Sequence, residues 1–215
     1  IRICAEEMFK AEPHSYDGYV SSGGTEANIQ ALWVYRNFYI DEFDAKRNEI
    51  AVVFSDDSHY SMTKGANLLA LDTIQIKVNE VSRALDIHDL EEKITAAVAH
   101  GKKYFIVVLN MATTMFGSVD DIKKVADLFN ALKLNYKIHA DAAYGGFIYP
   151  FTNVDNPYNF KNPNLSSISI DAHKMLQAPY GTGIFLVRKN YLKHVCNNDA
   201  SYVKGKDFTL VGSRS

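Results

Sequence analysis

The 215-residue chain has little cysteine and no long apolar run. Its two cysteines, Cys4 and Cys196, lie far apart and lack the spacing of a metal site, so we predict reduced thiols, no metal ion and a cytoplasmic location. No apolar run approaches the ~18–20 residues of a membrane span, and we expect no membrane partner. The chain does not begin with Met, and we interpret it as part of a longer protein.

An excess of charge of one sign is also missing. The 23 Lys and Arg residues are balanced by 25 Asp and Glu residues, which gives a formal net charge of −2. Nucleic acid binds basic surfaces, so we do not expect it as a partner. The apolar fraction of 47% is typical of a globular chain that buries a core.

Extended and helical patterns alternate along the chain. Short apolar runs predict strands over 49–54, 73–78, 103–109, 167–170 and 183–187, with a further strand that ends at His139. Helical periodicity lies between them, over 25–39, 59–70, 86–100 and 120–132. This alternation predicts an α/β fold with a mostly parallel sheet and helices on both faces. The stretch 151–163, rich in Asn and Pro, is predicted to be a surface loop within the same domain.

Ligands of open parallel sheets bind beyond the carboxyl ends of the strands. The segment Ser-Ser-Gly-Gly-Thr-Glu-Ala-Asn (21–28) precedes a predicted helix. Gly23 and Gly24 allow a sharp turn with exposed N–H groups, and the Thr25 hydroxyl adds a donor, so the segment can hold a phosphate. The alternative is a flexible turn with a helix cap. The segment matches neither a P-loop nor a dinucleotide fingerprint.

Three further segments follow predicted strands. Asp141 could keep a ring nitrogen protonated while a flat group lies against Ala143, although a turn-capping Asp is an equal alternative. Lys174, beside His173, follows an Ile-rich strand. Partial desolvation there would lower the pKa of the amine and make it a nucleophile, although a solvated lysine is the alternative. His59 could stack on a ring or transfer a proton, or it could be a structural histidine.

Together, the four segments provide a phosphate cradle, a carboxylate, an imidazole and an amine nucleophile. Pyridoxal 5′-phosphate (PLP) requires this combination, because a lysine Schiff base holds it and an acid tunes its ring nitrogen. The sequence therefore predicts a PLP site at one edge of the sheet.

The segments that carry this prediction also occur, in the same order, in a known family. They are Ser-Gly-Gly-Thr-Glu-Ala (22–27), Ser-His-Tyr-Ser (58–61), Ala-Thr-Thr-Met-Phe-Gly-Ser-Val-Asp (112–120), His-Ala-Asp-Ala-Ala (139–143) and Asp-Ala-His-Lys (171–174). Over nearly its whole length the chain resembles the PLP-dependent group II amino acid decarboxylases. The resemblance implies fold type I, the fold of aspartate aminotransferase, with residues 1–215 as an incomplete PLP-binding large domain.

The resemblance also implies roles for individual residues. Lys174 would form the Schiff base and Asp141 would pair with the ring nitrogen. The remaining residues would surround the cofactor: His59 and Ala143 on the ring faces, Gly23, Gly24 and Thr25 at the phosphate, His173 between phosphate and Schiff base, and Thr114 nearby. Lys174, Asp141, His59 and His173 would act in catalysis. Asp171 is set aside, because a carboxylate there would repel phosphate.

The activity that the resemblance implies is decarboxylation of an L-amino acid to its amine and CO2 in a homodimer with a shared site. Three departures qualify it. Ala112 stands where many relatives have Gly. The segment 202–213 is shorter than the family's mobile loop with its catalytic Tyr, so the proton donor stays unassigned. We expect the family's N-terminal segment and C-terminal small domain to lie outside residues 1–215, whereas 212–215 resembles a loop near the partner's cofactor.

Two other activities, and one function without turnover, are alternatives to decarboxylation. A carbon–carbon lyase similar to sphingosine-phosphate lyase shares the Ser-Gly-Gly-Thr-Glu loop and the His-Lys pair. An aminotransferase fits the His-Lys and Ser-His pairs less well. A cofactor-binding paralogue without turnover would be expected to have lost Lys174 or Asp141, and both are present. The amino acid substrate is left open by the sequence.

Overall fold

A seven-stranded sheet forms the centre of the molecule, for which a computed structural model describes residues 1–153, 155–196 and 206–212. The strands are β1 (Tyr16–Ser21), β2 (Ile50–Ser55), β3 (Asp72–Ile76), β4 (Tyr104–Asn110), β5 (Asn135–Asp141), β6 (Leu165–Asp171) and β7 (Gly183–Arg188). Their order is β1-β7-β6-β5-β4-β2-β3. β7 runs antiparallel to both neighbours and the other pairs are parallel, which confirms the predicted mostly parallel sheet.

Helices connect most of these strands. They are α1 (Gly24–Phe43), α2 (Ser61–Leu68), α3 (Ile87–Ala99), α4 (Ile122–Ala131), α5 (Tyr149–Thr152) and α6 (Ala172–Met175). A π-helical turn lies at Ile3–Met8, and 3₁₀ turns lie at Arg47–Glu49 and Leu192–Val195. Within the described ranges, no helix combines the length and the apolar character that crossing a bilayer demands.

The helices cover both faces of the sheet, as predicted. Side chains of successive strand residues point to opposite faces, so each strand contributes to two core layers. On one face, Val108 of β4 belongs to the same buried cluster as Tyr35 of α1. On the other face, its neighbour Val107 lies in a cluster with Leu90 of α3 and Phe129 of α4. The sheet is therefore a buried middle layer whose strand ends are left for a site.

The start of the predicted helix over 120–132 differs from the structure. α4 begins at Ile122 and is capped by Asp121, whose carboxylate accepts the N–H groups of Lys123 and Lys124. Asp120 is instead buried, and its oxygens accept the backbone N–H groups of Leu85 and Asn110 at 2.7 and 2.8 Å. Its carboxylate thus ties the end of β4 to the loop before α3.

Most described residues of the predicted surface loop 151–163 lie outside helices and strands, as expected, but part of the segment is buried. Tyr158 is fully buried and its hydroxyl donates to the carbonyl of Asp120 at 2.7 Å. Phe160 is also buried, and its N–H donates to the carbonyl of Phe9 at 2.7 Å. Two aromatic side chains anchor this irregular segment in the core, which outweighs its Asn- and Pro-rich composition.

Candidate active site

The carboxyl ends of β1, β2, β4, β5 and β6 meet at one edge of the sheet, where they border a cleft of about 240 Å³. Parallel strands bring their ends to the same side, so residues far apart in sequence become neighbours. All nine predicted site residues line this cleft: Gly23, Gly24, Thr25, His59, Thr114, Asp141, Ala143, His173 and Lys174. The structure gives their positions, and their roles stay predictions.

The glycine turn at the end of β1 has no room for larger residues. Gly23 caps α1 with φ 150° and ψ 174°, a conformation that residues with a Cβ rarely adopt. A Cβ on Gly24 would lie 2.9 Å from both the Ala143 Cβ and an Asp171 carboxylate oxygen. The turn therefore brings bare backbone and the N-terminus of α1 to the cleft, which is favourable for an anion.

A buried glutamate holds this turn in place. Glu26, 6% exposed in the first turn of α1, accepts hydrogen bonds from the backbone N–H and the hydroxyl of Ser22, both at 2.7 Å. The hydroxyl of Tyr19 donates to the other carboxylate oxygen at 3.1 Å. These three hydrogen bonds to one carboxylate fix the path of the chain into the helix.

Asp141, the last residue of β5, has a carboxylate that is ordered by two donors. Its Oδ2 accepts from the Asn28 amide at 2.8 Å, and its Oδ1 accepts from the Ala143 N–H at 3.1 Å. The residue is 7% exposed. Two donors therefore fix the direction in which this buried carboxylate faces the cleft.

Asn28 is the centre of a buried network behind Asp141. Its Nδ2 also donates to the Ser61 hydroxyl at 3.0 Å. Its Oδ1 lies 2.9 Å from Nε2 of His139 and accepts from the Ser169 hydroxyl at 2.7 Å. All four hydrogen-bonding positions of the amide are therefore used.

His139 is a fully buried member of this network. Its Nδ1 lies 2.8 Å from the hydroxyl of Ser167 on β6. Burial, against a smaller opposing effect of the Ser167 backbone, lowers the pKa of His139 to about 3. The ring is therefore neutral at physiological pH and supports the network without adding charge.

His59 lies just beyond β2, on the border of the cleft. Its Nδ1 accepts the Ser61 N–H at 3.2 Å and lies 2.9 Å from the Ser61 hydroxyl. Burial lowers the pKa of His59, and the carboxylate of Asp141 opposes this shift more weakly. A neutral His59 with Nδ1 as acceptor carries its proton on Nε2.

Lys174 and His173 lie in the short helix α6, directly after β6. The Lys174 ammonium nitrogen lies 3.4 Å from Oδ2 of Asp171, and Nε2 of His173 lies 3.7 Å from the same oxygen. Asp171 is 3% exposed, and its Oδ1 has no hydrogen-bond partner in the described part of the chain. Burial raises the pKa of Asp171, while Lys174 and His173 oppose that shift. Asp171, set aside in the sequence interpretation, thus borders the cleft as well.

The loop after β4 forms another wall of the cleft. Ala112 has φ 67°, in the left-handed region that favours glycine. The Thr113 and Ser118 hydroxyls lie 2.7 Å apart across the base of the loop. Thr114, next to Thr113, is exposed to the cleft.

A comparison with protein families identifies the family of the chain. A family model described as "Pyridoxal-dependent decarboxylase conserved domain" matches residues 4–213, nearly the whole chain. The chain belongs to the pyridoxal-dependent decarboxylase family. The resemblance predicted from the motifs is confirmed.

Individual relatives place the chain within this family. A tryptophan decarboxylase from Clostridium sporogenes is 50% identical over 215 residues, which is all of this chain and 52% of the relative. A histidine decarboxylase from Vibrio anguillarum is 30% identical over 212 residues, 97% of this chain and 51% of the relative. The chain therefore spans about half the length of these curated relatives.

A solved structure gives the fold independently. The sphingosine-1-phosphate lyase of Burkholderia pseudomallei superposes with a TM-score of 0.80 and 22% identity. The match covers 98% of this chain and 48% of the lyase chain. At this identity it shows the fold alone, and it is consistent with the predicted fold type I.

Several residues that line the cleft had no role predicted for them from the sequence. They are Asn28, Asp57, Tyr60, Asn110, Tyr144, Asp171 and Tyr180. Asn28 lies within the glycine-turn segment, but its partner Asp141 is 113 residues away. Residues 202–205 and 213 of the predicted segment 202–213, and residues 213–215 of the predicted segment 212–215, lie outside the described residues.

Proposed function

We propose that the protein to which this chain belongs decarboxylates an L-amino acid, giving the amine and CO2, with PLP as cofactor. One observation carries the proposal: Lys174 borders the same cleft as Asp141, whose carboxylate is already ordered by two donors. A lysine amine and an acid in one cleft are the two protein groups that PLP chemistry requires.

The residues of the cleft fit PLP. The bare backbone of Gly23 and Gly24 at the N-terminus of α1 suits the phosphate, with Thr25 as a further donor. The small Ala143 leaves room for a flat ring, and Lys174 can reach the cleft from α6. When bound, PLP supplies an electron sink for the electron pair left by the departing CO2.

The chain's own groups perform distinct tasks in this proposal. Asp141 holds a proton at the ring nitrogen of the cofactor by opposite-charge attraction. His59 would face the cofactor ring as a neutral imidazole, since burial lowers its pKa. Lys174 supplies the amine that holds the cofactor, and Asp171 attracts its ammonium nitrogen at 3.4 Å while the amine is free. His173 lies next to this pair.

We propose an aromatic L-amino acid, tryptophan first, as the substrate. The support is the 50% identity to a tryptophan decarboxylase and the composition of the cleft wall. Tyr60, Tyr144 and Tyr180 line the cleft with exposed fractions of 60%, 37% and 93%. Aromatic side chains at a cleft offer an apolar surface with a polar tip for a ring such as indole.

We also propose that residues 1–215 form an incomplete PLP-binding large domain, and that the protein is a cytoplasmic homodimer. The exposed apolar side chains of Met115 (82%) and Phe116 (56%) next to the cleft support a covering partner. Equilibrium sedimentation of the full-length protein would measure the dimer directly.

The test is a product assay on the full-length protein with PLP and a panel of L-amino acids that includes tryptophan, histidine and glutamate. We expect release of CO2 and of tryptamine. Lys174→Ala should abolish turnover, whereas Lys189→Ala should retain it, because Lys189 pairs with Asp17 at the surface.

Other products would identify the alternatives. An aldehyde from a long-chain base phosphate would indicate a carbon–carbon lyase, and a 2-oxo acid would indicate an aminotransferase. Cofactor binding without any turnover would identify an inactive paralogue. Each of these results would contradict the proposed decarboxylase.

A further inference from the structure

The side-chain amide of Asn28 links two groups of the cleft. These are the Asp141 carboxylate and, through Ser61, the His59 ring. Asn28 is 1% exposed on α1, and its Nδ2 donates both to Asp141 and to Ser61. Ser61 is in turn the partner of His59 Nδ1. The side chains of Asn28 and Ser61 therefore link the Asp141 carboxylate to the His59 ring.

The direction of every hydrogen bond in this network follows from the Asp141 carboxylate. A carboxylate can only accept, so the amide nitrogen of Asn28 must face it and the amide oxygen must face the opposite side. That oxygen needs donors, which are the Ser169 hydroxyl and the Nε2–H of His139. His139 is therefore the Nε2–H tautomer, and its Nδ1 accepts from the Ser167 hydroxyl.

The same reasoning extends from Asn28 to His59. The Ser61 hydroxyl accepts the second Asn28 N–H, so its own proton is free to bond to His59 Nδ1. The Ser61 backbone N–H also points to that nitrogen, at 3.2 Å. His59 Nδ1 is thus an acceptor twice over, and the ring proton lies on Nε2.

We propose that Asn28 is a positioning residue, which orients the Asp141 carboxylate and, by orienting the Ser61 hydroxyl, supports the Nε2–H tautomer of His59. The inference rests on the proposed function, in which both groups contact the cofactor ring. A buried amide with every donor and acceptor satisfied holds its neighbours in one arrangement, whereas an apolar residue of similar size would only fill the space.

The first arm of the test needs no cofactor and no turnover. Nitrogen NMR of the histidine rings in the full-length protein without PLP should show His139 and His59 as neutral Nε2–H tautomers. In Asn28→Ala, the Nε2–H of His139 loses its acceptor, and we expect the tautomer preference of that ring to be lost. A wild-type His139 protonated on Nδ1 would overturn the proposal, whether or not the variant folds.

The second arm measures turnover of the PLP-loaded enzyme in a double-mutant cycle. Asn28→Ala should lower kcat on the order of 10- to 100-fold, the range for lost outer-shell partners of ligating groups, with KM nearly unchanged. In an Asp141→Asn background, the same change should have much less effect, because Asn28 acts through Asp141. An equal fold-loss in both backgrounds would contradict the proposal.

A matched control separates positioning from general stability. Asn156 is also a buried amide, 9% exposed, but it bonds only to the backbone of Tyr158 away from the cleft. Asn156→Ala should leave kcat unchanged, and a loss equal to that of Asn28→Ala would count against the inference. Absence of turnover in the wild type would instead refute the proposed function, and the NMR arm would still test the network.

Discussion

Two buried carboxylates end neighbouring strands of the sheet, and their surroundings differ. Asp141 on β5 has a donor on each oxygen, at 2.8 and 3.1 Å. Asp171 on β6 has one oxygen without a hydrogen-bond partner in the described residues, and the other lies 3.4 Å from Lys174. The Asp141 half of the cleft is organised by hydrogen bonds, whereas the Asp171 half is organised by an ion pair with the Lys174 amine.

The difference has a functional meaning in the proposed decarboxylase. A group that must present a fixed charge to the cofactor ring benefits from preorganised hydrogen bonds, which need no rearrangement during the reaction. Lys174 must instead bond to and leave the cofactor, so a loose ion pair with Asp171 suits it. The cleft therefore combines a rigid acid half with an adaptable amine half.

The largest expected effect concerns the rigid half and its pH dependence. The unfolded chain protonates His139 near pH 6.5, whereas burial keeps the folded ring neutral to a pKa of about 3. Below pH 6.5 the unfolded state therefore binds more protons, and stability falls as the pH falls. Between pH 8 and pH 5, His139 should lower the unfolding free energy of the wild type by about 2 kcal/mol. His139→Gln should lack this contribution, as measured by urea denaturation at both pH values.

The adaptable half provides a control of opposite sign. Burial raises the pKa of Asp171, so the folded state binds more protons than the unfolded state above the ordinary carboxyl pKa, and stability falls as the pH rises. Asp171→Asn should remove that fall. Equal pH profiles for wild type and His139→Gln, or a His139 ring that titrates near pH 6.5 by NMR, would contradict the distinction between the two halves.

The smallest expected effect is at Ala112, which lies on the cleft wall after β4, on the Asp141 side of the sheet. Its φ of 67° is strained for a residue with a Cβ, so Ala112→Gly should raise the free energy of unfolding by about 1 kcal/mol. Ala96→Gly, in the interior of α3, should lower it by a similar amount, roughly 1 kcal/mol. Loss of stability in Ala112→Gly would show that the wall tolerates Ala without strain.

The fold could be predicted where the apolar pattern was local. The runs over 50–55, 104–110 and 183–188 are continuous and bounded by turn residues, so they were recognised as strands. β1 was missed, because Gly18 and the polar Asp17 interrupt its pattern, although a Cβ on Gly18 would meet the Phe185 carbonyl at 2.5 Å. Such a close approach between strands depends on their pairing, which composition does not reveal.

The site could be predicted as a set of residues but not as a network. The motifs identified Lys174 and Asp141 because their chemical types match a known cofactor. The function of Asn28 depends on residues 113 and 111 positions away, and on the direction of each hydrogen bond. These contacts exist only after β5 and α1 pack together, so no local pattern could reveal them.

The central claim is that Lys174 holds PLP in the cleft opposite Asp141. Its most direct test is borohydride reduction of the PLP-loaded full-length protein, followed by peptide mapping of the attached pyridoxyl group. We predict a single labelled peptide that contains Lys174, and loss of both the label and the visible absorption band in Lys174→Ala. A label on another lysine, or a folded protein that takes up no label, would contradict the account.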